Sequence, residues 1–139
     1  MPLCARDLLR AEPITIRPEA PFLEVLDLFV KAQIGGAPVV DAAGTVHGIV
    51  TSTDLLEAVD QACDEDVDAG EDADRLDERL DTLTARDIAT PELVWATPEE
   101  PLGVIAQRMR AEGVHRVLVG TDGRVLGILT AFDLLQAVP

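Results

Sequence analysis

Two aspartates stand out for where they sit. Asp54 closes the stretch Gly48-Ile49-Val50-Thr51-Ser52-Thr53-Asp54, and Asp133 closes Gly127-Ile128-Leu129-Thr130-Ala131-Phe132-Asp133. In both copies an apolar run ends at a threonine, and an acid follows three residues later. Two chemistries fit this Thr-x-x-Asp spacing. One is local: a Thr that opens a helix and an acid at its third position satisfy each other's backbone N–H, as a capping box. The other is recognition. A helix start carries unbonded N–H groups and partial positive charge, which suits a phosphate. A Thr hydroxyl there can donate to a phosphate oxygen, and an Asp one turn in can accept from both hydroxyls of a ribose. The usual capping-box acid is Glu or Gln, so Asp in both copies leans towards recognition.

The elements that must position these residues repeat along the chain. Ala5-Arg6-Asp7-Leu8 matches Ala85-Arg86-Asp87-Ile88 at an offset of 80, as Pro18-Glu19-Ala20-Pro21 matches Pro98-Glu99-Glu100-Pro101. The glycine stretches are offset by 79, so one residue slips between the two sections. The simplest place is the helix end near Gln33-Ile34 and Ala111-Glu112-Gly113. Each repeat opens on a short helical lead and a strand, Ile14-Thr15-Ile16 or Leu93 to Ala96. Phe22, Val25, Leu26, Phe29 and Val30 then recur at helical spacing, and Gly35-Gly36 is expected to end that helix. Ala37-Pro38-Val39-Val40 and Thr45 to Val50 are strands around the turn Asp41-Ala42-Ala43-Gly44, with a helix after Thr51. In the second repeat Leu102 to Arg110 is the helix. Val114 to Val119 and Arg124 to Leu129 are the hairpin strands around Asp122-Gly123, a strong turn signal, and a helix follows from Ala131.

The fold class is therefore α/β in content, of the α+β kind, built from tandem strand-helix-strand-strand-helix repeats. One repeat buries too little surface to stand alone, so the two are expected to pack sheet to sheet with pseudo-two-fold symmetry and clefts along the seam. The expected organisation is repeat one over 1–59, an acidic insert over 60–84 and repeat two over 85–139. Between Asp60 and Asp81 the insert holds eleven acids against Arg75 and Arg79. Leu76, Leu80 and Leu83 give Asp72 to Leu83 an apolar stripe of helical spacing. Asp64 to Gly70 reads as a mobile loop. Asp64, Asp66 and Asp68 resemble the start of a calcium loop, but Ala69 stands where Gly is required and Arg75 where Glu is required.

Composition excludes several classes. The formal charge of −15 opposes non-specific nucleic-acid binding, which depends on Lys and Arg neutralising phosphates. No run of about 18 apolar residues is present, so no membrane span is expected. Met1-Pro2-Leu3-Cys4-Ala5-Arg6 leads into Asp7 rather than an apolar signal core. Cys4 and Cys63 lie far apart with no neighbour at metal spacing, and read as free cytosolic thiols. There is no Gly-x-x-x-x-Gly-Lys loop, no nucleophile elbow and no metal-ligand cluster, so enzymatic activity is not expected.

The duplicated Gly-apolar-apolar-Thr-x-x-Asp, in register inside two matching repeats, resembles the CBS domain pair, or Bateman module. The resemblance covers nearly the whole chain except the insert. It implies nucleotide clefts at the seam that take adenosine-containing ligands. Carried over, it implies ribose contacts from Asp54 and Asp133 and phosphate contacts from Thr51 and Thr130. Base contacts are implied from Ala37-Pro38-Val39 and Arg116-Val117-Leu118. His115-Arg116 resembles a phosphate-holding pair in the gamma subunits of a eukaryotic energy-sensing kinase, and Arg offers a planar fork to phosphate. Repeat one has Gly36-Ala37 at the positions aligned with that pair, so the sites differ. The favoured phosphate site combines Asp54, Thr51 and Thr53 with His115 and Arg116. Phe132 stands in place of Thr53 in the second copy. Thr15 and Trp95 share a strand position; Thr15 could reach a ligand, whereas Trp95 reads as core. His47 has no assigned role.

The expected function is a cytoplasmic, non-enzymatic regulatory module, a homodimer acting on an unidentified protein. It binds AMP, ADP, ATP or S-adenosylmethionine, with Mg²⁺ as a companion of the nucleotide and no obligatory cofactor. The alternative is an interaction or Mg²⁺-responsive module with empty clefts.

Overall fold

Proline sets the limits of the outer strands. Pro18 and Pro98 follow Ile16 and Ala96 by two residues and have no N–H to extend a ladder. In the computed structural model, which describes residues 3–9, 14–64, 73–91 and 94–138, the Ile14-Thr15-Ile16 segment accordingly shrinks to one parallel bridge. The Ile16 N–H donates to Pro38 O at 2.9 Å and the Val40 N–H to Ile16 O at 2.8 Å. Its counterpart β3 (Trp95–Ala96) is a two-residue strand paired parallel with Leu118 and Val119.

The chain divides into two compact units that do not coincide with the sequence repeats. One comprises Met1–Ile14, Gly44–Val46 and Glu92–Pro139; the other comprises Thr15–Ala43 and His47–Pro91. Each unit thus takes its helical lead from the opposite repeat, and the same hydrogen bonds hold both leads. In the second unit α5 (Ala85–Ile88) docks through Ala85 N–H to Ala20 O and Arg86 N–H to Pro18 O. In the first unit α1 (Ala5–Leu8) docks through Ala5 N–H to Glu100 O and Arg6 N–H to Pro98 O. Asp7 and Asp87 fix the starts of these short helices by accepting the N–H of Cys4 and Thr84.

In the second unit α2 (Phe22–Ala32) presents Phe22, Val25 and Phe29 to the interior, while Leu26 and Val30 of the same apolar set stay exposed. The helix ends before the glycines expected to stop it. Gln33 takes the left-handed cap at φ 53° and returns its N–H to Phe29 O. The second repeat uses Gly113, at φ 68°, for the same cap, since glycine adopts that region without a Cβ penalty. Strands β1 (Gly36–Val40) and β2 (Val46–Thr51) form a two-stranded sheet, and β2 runs straight into α3 (Ser52–Asp64). Helix α4 (Ala73–Leu80) realises the amphipathic stripe of the insert. Leu80 is buried, and Arg79 donates to Ala62 O near the end of α3 at 2.8 Å. The loop expected from Asp64 to Gly70 starts later than predicted, since Asp64 is the last residue of α3, and positions 65–70 with the calcium-like Asp66 and Asp68 lie outside the described residues.

In the first unit the order is β3, α6 (Leu102–Glu112), β4 (Arg116–Thr121), β5 (Arg124–Thr130) and α7 (Ala131–Gln136). The three strands lie in the order β3-β4-β5, with β4 and β5 antiparallel. The turn between them places Asp122 at φ 52° and Gly123 at φ 77°, the two positive angles of a type I′ hairpin. Ala5, Ala96, Ile105, Met109, Val117, Val119 and Leu129 form this unit's buried core.

The one-residue slip lies in the hairpin and not at the helix end. The caps Gln33 and Gly113 are offset by 80, and so are the pairs Ile16–Val39 and Ala96–Val119. Only beyond β1 and β4 does the offset fall to 79, because the second turn is one residue tighter. His115-Arg116 therefore corresponds to Gly35-Gly36, and Ala37-Pro38-Val39 to Val117-Leu118-Val119.

Candidate functional site

Both motif glycines lie under close neighbours, backbone at Gly48 and a side chain at Gly127. A Cβ on Gly48 would stand 2.7 Å from Thr90 O, and one on Gly127 would stand 2.8 Å from Leu9 Cδ2. Each glycine thus makes room for the segment that follows the lead helix docked in its unit. Beside Gly48 that segment forms a bridge, with Ile49 N–H donating to Thr90 O at 3.0 Å and Thr90 N–H to Ile49 O at 2.8 Å.

The Thr-x-x-Asp junctions are both closed capping boxes. Thr51 N–H donates to Asp54 Oδ2 at 2.7 Å, and Asp54 N–H donates to Thr51 Oγ1 at 3.2 Å. In the second copy Thr130 N–H donates to Asp133 Oδ2 at 2.8 Å, and Asp133 N–H to Thr130 Oγ1 at 3.1 Å. The first helical N–H in each copy is also satisfied. Ser52 donates to Gly35 O at 3.0 Å and Ala131 to His115 O at 2.8 Å. The copies differ in what else reaches the carboxylate. The Thr51 hydroxyl donates to Asp54 Oδ2 at 3.0 Å, and the Thr90 hydroxyl to Asp54 Oδ1 at 3.0 Å. Sequence reasoning missed Thr90, because only the bridge to Ile49 brings it to the motif.

The remaining candidates fall into the two units. In the second unit Ala37, Pro38 and Val39 are buried in β1, whereas Thr15 and Thr53 are exposed. In the first unit Arg116 opens β4 opposite Thr130, and Val117 and Leu118 are buried behind it. His115 is exposed and lines a groove of about 360 Å³ with Met109, Arg110, Val114, Ala131 and Leu134. Neither Thr130 nor Asp133 lines it. Phe132 is exposed on the first turn of α7. Trp95 packs over Gly120, where a Cβ would stand 2.7 Å from its ring. Arg108 donates to Trp95 O and to both oxygens of Glu100, and this pairing holds the Glu100 carboxyl below its ordinary pKa. His47 pairs with Asp41 at 2.8 Å. Cys4 and Cys63 are free thiols. Among the described residues no group of three His, Cys, Asp or Glu side chains could hold a metal, and no helix is long and apolar enough to cross a membrane.

The family model for the CBS domain matches residues 5–61 and again 85–139. The chain belongs to the CBS domain family. Its two CBS repeats resemble the CBS domain of a CBS domain containing membrane protein from Sphaerobacter thermophilus, with 34% identity and a TM-score of 0.83 over 99% of this chain and 89% of that one. A second solved structure, the CBS domain pair of protein MJ0100, is a complex with 5′-methylthioadenosine and S-adenosyl-L-methionine. It is 26% identical, with a TM-score of 0.78 over 98% of this chain and 95% of that one. Among curated proteins, the 5′-AMP-activated protein kinase subunit gamma-3 of Bos taurus is 32% identical over 86% of this CBS chain and 22% of its own length. This CBS pair spans 41% and 22% of the length of the first two curated relatives it matches.

Proposed function

We propose that this CBS pair is a non-enzymatic regulatory module that binds an adenosine-containing ligand of the adenine nucleotide or S-adenosylmethionine class. The observation that carries the reading is the duplicated junction. Asp54 and Asp133 each sit one turn into a helix, on a half-buried carboxylate already aligned by its threonine. The complex of the MJ0100 pair with two adenosine derivatives supports this class of ligand. In this reading the aspartates take ribose hydroxyls, and the buried β1 and β4 residues frame the base. Thr53 serves phosphate in the second unit, and His115 and Arg116 serve it in the first, with Mg²⁺ as a companion of the nucleotide. The Thr51 hydroxyl can join them only by releasing Asp54, since its single proton is already donated there. The module is cytoplasmic and homodimeric, and it acts on a separate protein through ligand-dependent packing.

Calorimetric titration with AMP, ADP, ATP, S-adenosylmethionine and NADH tests this. At least one ligand is expected to bind, and Asp54→Ala or Asp133→Ala to weaken it about tenfold or more, the usual cost of a hydrogen bond to a charged group. Silence from every ligand would sink the reading. Undiminished binding in both variants would sink the site.

The second reading is an interaction or Mg²⁺-responsive module with empty clefts. One observation favours it: two closed capping boxes account for every motif Thr and Asp without a ligand.

A further inference from the structure

Among the described residues the two motif aspartates carry different hydrogen bonds. A carboxylate offers about four acceptor positions, two on each oxygen. On Asp54, Oδ2 already accepts the Thr51 N–H and the Thr51 hydroxyl, at 2.7 and 3.0 Å, while Oδ1 accepts the Thr90 hydroxyl at 3.0 Å. One position remains, on Oδ1. On Asp133 the Thr130 N–H reaches Oδ2, and no described residue donates to Oδ1.

We infer that Thr90 is a positioning and specificity-determining residue, which limits Asp54 to one ribose hydroxyl. This rests on the adenosine reading above and sharpens it. Thr90 is well placed for the task. Its backbone exchanges both N–H···O bonds with Ile49 of β2, so its hydroxyl is held at Oδ1 by that bridge. With Oδ2 held from Thr51 and Oδ1 from Thr90, the carboxylate cannot rotate to chelate a cis-diol unless the Thr90 bond breaks.

The test uses the full chain and three nucleosides: adenosine, 2′-deoxyadenosine and 3′-deoxyadenosine. Calorimetry on Asp133→Ala reads the Asp54 copy alone. In Asp133→Ala one deoxy analogue should bind within about twofold of adenosine and the other about tenfold weaker. Adding Thr90→Val to Asp133→Ala opens the second acceptor, so the tolerated analogue should fall about tenfold behind adenosine; Thr90→Ser should restore the tolerance. Should Asp133→Ala fail to fold, Thr90→Val in the unaltered chain must still widen the gap between adenosine and that analogue.

Equal loss with both analogues in Asp133→Ala would overturn the inference and leave the adenosine reading standing. A Thr90→Val variant that melts earlier but keeps the ratios among the three nucleosides would also overturn it, since only stability would then depend on the hydroxyl. No heat from adenosine in the unaltered chain would remove both claims together.

Discussion

Arg116 is the residue whose proposed role is easiest to separate from its structural one. It opens β4 in register with Thr130, and its guanidinium would act on phosphate and not on the sugar or base. Arg116→Ala is therefore expected to weaken ATP about tenfold or more and adenosine by less than about twofold. Equal losses for both would contradict a phosphate role. His115 beside it is exposed and borders the apolar groove between α6 and α7, so the pair need not act as one unit. The Thr-Asp spacing was legible in the sequence as a choice between capping and recognition. The structure realises the capping alternative in both copies, and it leaves acceptor positions open for the other. What the sequence hid was the Thr90 hydroxyl on Asp54, because Thr90 stands 36 residues away.

At the scale of elements, the strand-to-helix junction depends on close approach beneath the glycine. Gly48 has φ of +153°, and a Cβ there would meet the backbone oxygen of Thr90. Backbone cannot swing aside as a flexible side chain can. Gly48→Ala is expected to cost about 1–3 kcal/mol, measured by urea unfolding. Gly103 in α6 is the control, because a Cβ there meets nothing within 4 Å. Gly103→Ala should raise stability by about 0.4–1 kcal/mol by stiffening the unfolded chain. Comparable destabilisation by the two substitutions would refute this account of Gly48. Periodicity located the helices and hairpins well. It misplaced the end of α2, where Gln33 accepts a left-handed cap that the following glycines seemed made for. It also misplaced the one-residue slip, which hydrogen-bond register assigns to the hairpin turns.

For the molecule as a whole, the apolar surface left on the helices bears on the proposed homodimer. Leu56 on α3 and Leu135 on α7 occupy matching positions in the two repeats and are 69% and 67% exposed. Val30 and Phe132 are similarly uncovered. Light scattering is expected to give twice the mass of one chain, falling to a single chain in the double variant Leu56→Asp, Leu135→Asp. A monomer before any substitution would end the homodimer proposal.

By itself the sequence determined the repeat, the elements within it, the doubled Thr-x-x-Asp junction and the family these point to. Those are consequences of local spacing, since strand and helix periods and turn residues act over a few positions. Tertiary structure decided which segments share a unit. The lead before each repeat joins the opposite one, an exchange that local pattern does not encode because both leads have nearly the same sequence. That exchange also carries Thr90 to Asp54. It gives the Asp54 carboxylate a third hydrogen bond, for the physical reason that a carboxylate has few acceptor positions and a packed neighbour can fill one.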